Sequence, residues 1–137
     1  MHCLDAGKRL CSAQELEDAC RGGSRKQFPY GNTYEPQKCP TEGDKPQPSG
    51  RYDACGEGFG LRDMIGNVWE WVNDWYGSNY YSTSPSVNPQ GPSSGTYRVL
   101  RGGSWYDVSD FFRASNRNNS YLGNSFSNVG FRVARTP

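Results

Sequence analysis

The apolar positions of this chain form a few short periodic segments between long polar stretches. In the first segment, Leu16, Ala19 and Cys20 recur at the spacing of one helical face. The preceding run Ser12-Ala13-Gln14-Glu15 has the form of a capping box, in which a serine hydroxyl and a glutamate carboxylate each accept from the other residue's backbone amide. Together these signals predict a helix from Ala13 to Arg21.

The polar positions complete the prediction for this helix. Glu15, Glu17 and Asp18 lie off the apolar face and are expected to face water. Gly22-Gly23 follows directly, and glycine is the usual residue at the end of a helix. No other part of the chain has an equally clear helical pattern.

Three segments are candidate strands, and in the last of them Phe131 and Val133 alternate with Arg132 and Ala134. The first is Asn67 to Val72, in which Trp69 and Trp71 fall on the same face and are expected to lie in the core. The other two are Tyr97 to Leu100 and Gly130 to Arg135. Short strands, one helix and long loops predict an α+β domain rather than a parallel α/β domain.

The stretch from 27 to 58 is rich in Pro, Gly and charge, which predicts a long loop. All five cysteines lie in the first 55 residues and allow two disulfides and one remaining thiol. Cys39 and Cys55 are expected to hold the loop, although reduced, buried cysteines are the alternative. Because no CxxC spacing occurs and the only histidine is His2, a zinc site is disfavoured.

Length, composition and charge indicate the size of the domain and exclude some partners. The 137 residues suffice for a single domain, 1–137, and the 14% aromatic content predicts a core built more from Trp, Tyr and Phe than from Leu and Ile. The net charge of +1 gives no reason to expect a nucleic-acid partner. No apolar run approaches the length of a membrane span, and no signal-peptide pattern is present, so membrane insertion by this chain is not expected.

Several motifs occur in order along nearly the whole chain. They are Arg9-Leu10-Cys11, Phe28-Pro29-Tyr30-Gly31-Asn32, the run from Gly60 to Trp71, the run from Arg98 to Trp105, and Gly130-Phe131-Arg132. Together they resemble the formylglycine-generating enzyme (sulfatase-modifying factor) family. The resemblance implies a C-type lectin-like fold in its formylglycine-generating-enzyme variant, loop-rich with short antiparallel strands. The family's usual N-terminal portion has no counterpart here, so a minimal version of the fold is expected.

The resemblance does not extend to the family's catalytic groups. The oxidase uses a pair of cysteines after the Gly-Gly-Ser-aromatic block, whose thiolates bind copper(I). Here those places fall near Asp107 and Phe112, and no cysteine follows Cys55. Iron-dependent relatives bind their metal through several histidines, whereas this chain has only His2. We therefore expect no enzymatic activity and no required cofactor.

Residues 106 to 128 have a restricted composition. They include five Asn and five Ser but no Lys, Glu, Gln, Met or Trp. Those five absent types are the ones that changes at the two adenines of an AAC codon cannot produce. The segment from Arg98 to Arg135, including Arg113 and Arg117, resembles the variable region of a diversity-generating retroelement target protein, in which a reverse transcriptase misreads adenines. An ordinary Asn/Ser-rich surface loop is the alternative.

This second resemblance divides the domain into a scaffold, 1–97, and a variable region with a fixed frame, 98–135. The varied positions are implied to form an exposed ligand-binding face made of Tyr106, Asp107, Val108, Asp110, Phe111, Asn116, Asn118, Asn119, Ser120, Tyr121, Asn124, Phe126 and Ser127. In the frame, Trp105 and Phe131 are expected to fill the core, and arginines to hold carbonyls or carboxylates. The implied partner is a protein or glycan on a target surface, with display on a cell surface or virion.

Three further motifs suggest calcium or calcium-dependent sugar binding. The carbonyls of Gly66 and Val68 with the carboxylate of Glu70 lie where the family often holds a structural calcium ion, although a strand glutamate that caps turn amides is the alternative. Trp71-Val72-Asn73-Asp74 and Glu35-Pro36-Gln37 resemble motifs of calcium-dependent sugar-binding lectins. A calcium lectin and a sulfatase-modifying enzyme, inactive or degenerate, are therefore the alternatives to a diversified binding protein.

Overall fold

The computed structural model describes residues 7–56 and 60–135, which form a loop-rich α+β domain. A four-stranded sheet has the order β4-β3-β2-β5, and β1 pairs separately with β6. Within the described residues, no helix is long and apolar enough for a bilayer span. The elements are β1 (Arg9–Leu10), α1 (Ala13–Arg21), a 3-10 turn (Pro36–Lys38), β2 (Trp69–Trp75), α2 (Tyr80–Thr83), β3 (Arg98–Arg101), a 3-10 turn (Ser109–Phe112), β4 (Asn118–Ser120), β5 (Val129–Phe131) and β6 (Val133–Ala134).

Helix α1 confirms the prediction at both ends. The Ser12 hydroxyl accepts from the Glu15 amide at 3.1 Å, and the Ser12 amide donates to the Glu15 carboxylate at 2.7 Å. Gly22 ends the helix in the left-handed region, with φ at 60°, where glycine has no Cβ to clash. Leu16 and Cys20 are buried on the predicted face.

Replacing Ser12 by Ala is expected to lower the free energy of unfolding by about 1 kcal/mol, because the Glu15 amide loses its capping acceptor. Urea denaturation measures the difference. Ser94→Ala in an exposed loop is the control and should leave stability unchanged. Equal stability of the two variants would contradict a stabilising capping box.

The prediction that Glu17 faces water is wrong. Its carboxylate accepts from Arg21 and from Arg101, each at 2.7 Å, and only 16% of the side chain is exposed. The reason is that β3 packs beneath α1 and brings the buried Arg101 guanidinium to the helix, where it requires a carboxylate. The periodicity of α1 alone contains no signal of this tertiary contact.

The sheet departs from the predicted strands at its edges. β2 and β3 pair antiparallel, close to the predicted segments, with a register shift between Trp71 and Trp75. β4, which reads Asn-Asn-Ser, was not predicted because these residues have low strand propensity, yet it pairs with β3. β5 runs parallel to β2, unlike the antiparallel pairing expected for all strands. The predicted strand Gly130 to Arg135 divides into β5 and β6 at Arg132, whose side chain binds Glu70.

The two faces of β2 pack against different surroundings. Val72 lies in the main hydrophobic core with Val99, while Trp69 and Trp71 alternate onto the opposite face, where Phe111 contacts Trp69 at 6.1 Å between ring centroids. The two tryptophans share a face as predicted, but only Trp69 is fully buried. The core agrees with the predicted aromatic content: one leucine and one isoleucine lie with two phenylalanines in the buried cluster, and four tyrosines pack against it.

One disulfide ties down the long loop. Cys39 and Cys55 are bonded, which confirms that this pair holds the stretch between α1 and β2. Cys11 and Cys20 are free thiols, so the second disulfide expected from the count does not form between them. Burial raises the pKa of the Cys20 thiol to about 12, which makes it an inert core residue. Cys3 lies outside the described residues.

Candidate ligand-binding site

The site begins at the turn after β3. Gly103 has φ at 75°, a region that favours glycine, and a Cβ at this position would lie 2.6 Å from the Phe112 ring. Both the backbone conformation and the close approach of Phe112 therefore require glycine. After this tight turn comes the segment 105–128. Its Phe111 packs on one face of the sheet at Trp69, and its residues 118–120 form the edge strand β4.

Arg101 fastens that segment to the scaffold. It is 2% exposed, and its Nη1 donates to the carbonyls of Ala114 and Asn116, both at 2.9 Å. Its Nη2 donates to the Ala13 carbonyl at 3.2 Å and to Glu17 at 2.7 Å. One buried guanidinium thus connects helix α1, strand β3 and the middle of the variable region, as expected of a frame arginine.

Two adjacent phenylalanines face opposite ways from the Ser109–Phe112 turn. Phe112 has no exposed surface and stacks on Tyr34 with 5.8 Å between ring centroids. Phe111 is 38% exposed and touches Trp69 with the edge of its ring. The sequence does not predict Phe112 as a core residue, because the apolar residues around it follow no regular period. The Phe-Phe pair itself was the available signal, since exposing both rings would be unfavourable.

None of the thirteen implied varied positions is buried. The exposed apolar members include Tyr106, at 77%, and Val108, at 64%, and side chains of this kind at the surface are typical of interaction sites. The exposed positions are Tyr106, Val108, Asp110, Phe111, Tyr121, Asn124, Phe126 and Ser127. The half-buried positions are Asp107, Asn116, Asn118, Asn119 and Ser120.

Some of the half-buried members take part in local structure. The Asp107 carboxylate accepts from the Ser104 amide at 2.9 Å and from the Ser104 hydroxyl at 2.5 Å, which closes the turn after β3. The Asn116 side-chain amide donates to the Phe111 carbonyl at 3.2 Å. A different residue at either position would change the shape of the loop as well as its surface.

Phe131 does not fill the core, so that prediction is wrong. It lies on the edge strand β5 beside Trp71 and is 63% exposed. Phe111 packs on this face of the sheet at Trp69, whereas Phe131 pairs with Trp71, which is itself only half-buried. Trp105 is half-buried rather than a core residue, and its indole Nε1 has no hydrogen-bond partner in the described part of the chain.

A cleft of about 420 Å³ opens within the variable region, and we call it the Arg117 cleft. The Arg117 guanidinium lies over the rings of Tyr81 and Tyr76, at 4.6 and 5.4 Å from their centroids. Asp110 and Arg113 form an exposed ion pair at 2.6 Å. The cleft is lined by Tyr76, Asp110, Phe111, Arg113, Ser115, Asn116 and Arg117, so it combines implied varied positions with frame residues.

At the expected calcium site, Glu70 forms an ion pair with Arg132. Arg132 donates to both carboxylate oxygens of Glu70, at 2.9 and 3.1 Å. Burial raises the pKa of Glu70, and the Arg132 charge opposes this shift. The described residues contain no cluster of three or more His, Cys, Asp or Glu side chains suited to a metal. A calcium ion at Gly66, Val68 and Glu70 would compete with the Arg132 guanidinium for the Glu70 carboxylate, and calcium binding there stays a prediction.

Solved structures share this fold. Treponema denticola variable protein 1 superposes with a TM-score of 0.80 at 31% identity over 95% of this chain and 48% of that protein. PvdO from Pseudomonas aeruginosa superposes with a TM-score of 0.78 at 29% identity over 92% of this chain and 51% of that one. The fold is thus the C-type lectin-like fold in its formylglycine-generating-enzyme variant.

Sequence relatives lead to the same family. The formylglycine-generating enzyme of Mus musculus is 37% identical over 97% of this chain, and the serine/threonine-protein kinase pkn1 of Chlamydia caviae is 39% identical over 94%. The chain spans 40% of the first protein and 21% of the second. The profile of the sulfatase-modifying factor enzyme 1-like domain matches residues 1–137. The chain therefore belongs to the sulfatase-modifying factor, or formylglycine-generating enzyme, domain family.

Proposed function

We propose that this chain is a ligand-binding protein whose surface between residues 106 and 128 is diversified by adenine-directed retroelement mutagenesis. The observation that carries the proposal is the division between outward and inward side chains in this segment. Phe112 and the Arg101 guanidinium, which binds the Ala114 carbonyl, are buried beneath the segment. All thirteen implied varied positions, in contrast, are exposed or half-buried. Similarity to a treponemal variable protein supports the same function.

The surface chemistry suits recognition. Tyr106, Phe111 and Tyr121 offer large apolar area with two side-chain torsions each, so little conformational entropy is lost on binding. Asn and Ser side chains around them supply adaptable hydrogen bonds. The proposed ligand is a protein or glycan on a target surface, and the proposed setting is display on a cell surface or virion.

Binding rather than catalysis is proposed because the implied catalytic positions have other roles. Asp107 closes the turn at Ser104, and Phe112 is buried against Tyr34. Neither side chain is a thiol that can bind copper(I). Similarity to the mouse enzyme nevertheless makes a sulfatase-modifying activity the second candidate. Copper-dependent oxidation of a cysteine-containing sulfatase peptide by the purified protein would establish that candidate instead.

The genetic mechanism has a direct test. The genome should contain a near-copy of the sequence that encodes residues 105 to 135, beside a reverse-transcriptase gene. The two copies should differ only at adenines of the template. A genome without such a copy, or with differences at other bases, would contradict diversification.

Replacing Tyr106, Phe111 and Tyr121 together by Ser is expected to abolish ligand binding while the domain stays folded. The loss of unfolding free energy should be about 1–3 kcal/mol, since Phe111 and Tyr121 each contact one further aromatic ring. Binding is measured against targets that the unaltered protein selects from a panel of surface proteins and glycans. Val87→Ser, at an exposed apolar position outside the segment, is the control and should keep the ligand.

A further inference from the structure

The shielded arginines of this domain fall into two groups. Six arginines in residues 7–56 and 60–135 are buried or half-buried, and four of them bind a carboxylate: Arg9, Arg21, Arg101 and Arg132. The other two, Arg98 and Arg117, take part in no ion pair among the described residues. Such pairing is the general rule for shielded charges, so each exception requires another source of stabilisation.

Aromatic rings supply that stabilisation in both cases. Arg98 lies 3.7 Å over the centroid of the Trp75 ring and donates to the Asn73 carbonyl. Arg117 lies over Tyr81 and Tyr76, and its Nη1 donates to the Gly77 carbonyl at 3.3 Å. These contacts hold the guanidinium plane in place but provide no negative charge. Arg117, in addition, lines a cleft.

No carboxylate in the lining of the cleft is left to pair with Arg117, although the buried Asp74 carboxylate acts on its charge from a longer distance. Asp110 is the one acidic residue that lines it, and the Asp110 carboxylate is bound by Arg113 at 2.6 Å. Two guanidinium groups and one carboxylate therefore give a net charge of +1 to this lining. A volume of about 420 Å³ is ample for one amino-acid side chain and its neighbours.

We propose that the Arg117 cleft is a subsite for an aspartate or glutamate side chain of a protein ligand. The inference rests on the proposed function. Arg117 belongs to the fixed frame, so its contact with the ligand carboxylate would stay the same while neighbouring positions vary. A guanidinium presents two parallel N–H donors, which match the two oxygens of a carboxylate. Its orientation is already set by the tyrosine rings, so little side-chain freedom is lost when the carboxylate binds.

A protein ligand fits the surroundings better than a sugar acid. Phe111 lines the cleft with a ring that is 38% exposed, and an apolar side chain next to the bound carboxylate would cover that ring. A sugar acid presents mainly hydroxyl groups, which gain less from covering apolar surface. Asp110 is an implied varied position, so variation there would change the charge of the cleft and adjust its preference for acidic ligands.

The test uses small probes on the whole chain. Two peptides, acetyl-Phe-Asp-amide and acetyl-Phe-Asn-amide, are titrated into isotope-labelled protein while the arginine Nε–H signals are followed by NMR. The Asp peptide should shift the Arg117 signal and bind about tenfold more tightly than the Asn peptide. Arg117→Gln should reduce the affinity for the Asp peptide to that for the Asn peptide. Asp110→Asn should tighten binding about twofold to fivefold by removing the competing carboxylate.

Arg98→Gln is the matched control, because it removes the other stacked arginine without touching the cleft. It should leave the affinity for the Asp peptide unchanged. Equal affinity for the two peptides in the unaltered protein would overturn the subsite, and this comparison does not require any variant to fold. Tighter binding of N-acetylneuraminic acid or inorganic phosphate than of the Asp peptide would also overturn it. If the peptide test fails while the triple Ser variant still loses its ligand, the subsite is wrong and the proposed function stands.

Discussion

Replacing Arg101 by Met is expected to lower the free energy of unfolding by about 3–5 kcal/mol, as measured by urea denaturation. Methionine occupies similar space but cannot donate hydrogen bonds. The carbonyls of Ala114 and Asn116 would then lose the Arg101 donor, whereas the Ala13 carbonyl keeps its bond within helix α1. Glu17 would keep only Arg21. Buried acceptors without a donor account for most of the loss.

The variant Arg98→Met separates this effect from the general removal of an arginine on β3. Arg98 also lies on β3, but it stacks on Trp75 and binds no carboxylate, so we expect a loss of only about 1 kcal/mol. Hydrogen exchange should show faster opening of residues 114 to 116 in Arg101→Met and not in Arg98→Met. Equal stability of the two variants would show that Arg101 is not the clamp of the variable region.

Replacing Phe112 by Ala is expected to lower the free energy of unfolding by about 3–5 kcal/mol. The ring has no exposed surface, stacks on Tyr34 and packs against Gly103, so its removal leaves a cavity beneath the variable region. Thermal and urea denaturation measure the loss. The backbone at Gly103 cannot move into the space easily, because the turn is constrained by the Asp107 contact to Ser104.

Phe111→Ala is the matched control at the adjacent position. Phe111 is partly exposed and makes one edge contact with Trp69, which predicts a loss of about 0.5–1.5 kcal/mol. The proposed function adds an opposite expectation for ligand binding, since Phe111 belongs to the recognition surface and Phe112 does not. If Phe111→Ala proved the more destabilising of the two, the assignment of inward and outward sides would be wrong.

These expectations describe one physical arrangement. Stability resides in Arg101, Phe112 and the glycine turn, whereas recognition is proposed to reside in side chains that contribute little to the core. Substitutions at exposed positions change unfolding free energy by small amounts, so a surface of this kind tolerates many sequences. Asp107 and Asn116 are exceptions among the varied positions, because the Asp107 carboxylate holds the turn at Ser104 and the Asn116 amide binds the Phe111 carbonyl.

Local signals explain the successful structural predictions. The capping box and the glycine end of α1 involve residues a few positions apart, so their geometry follows from the backbone alone. Strand β2 has Trp69 and Trp71 at alternate positions, and β3 contains the adjacent apolar residues Val99 and Leu100, so both segments carry a local signal for a strand. The disulfide between Cys39 and Cys55 agreed with the expected role of these residues in the loop.

Contacts between distant residues explain the failures. Glu17 is drawn inward by Arg101, which lies 84 positions away in sequence. β4 forms because β3 offers it an edge, although Asn and Ser have no preference for strands. Phe131 remains exposed because β5 is an edge strand and pairs it with the half-buried Trp71, whereas Phe111 packs on Trp69. None of these partners is visible in the residues flanking the position concerned.

The sequence by itself determined the helix, the two central strands, the family of the chain and the restricted composition of residues 106 to 128. Only the tertiary structure decided which side chains of that segment lie beneath the surface and which lie upon it. The physical reason is that a segment without a regular period has no repeating face, so its burial depends on particular partners such as Tyr34 for Phe112. The position of the Arg117 guanidinium over two tyrosine rings in a cleft likewise followed only from the tertiary structure, because the tyrosines lie far from Arg117 in sequence.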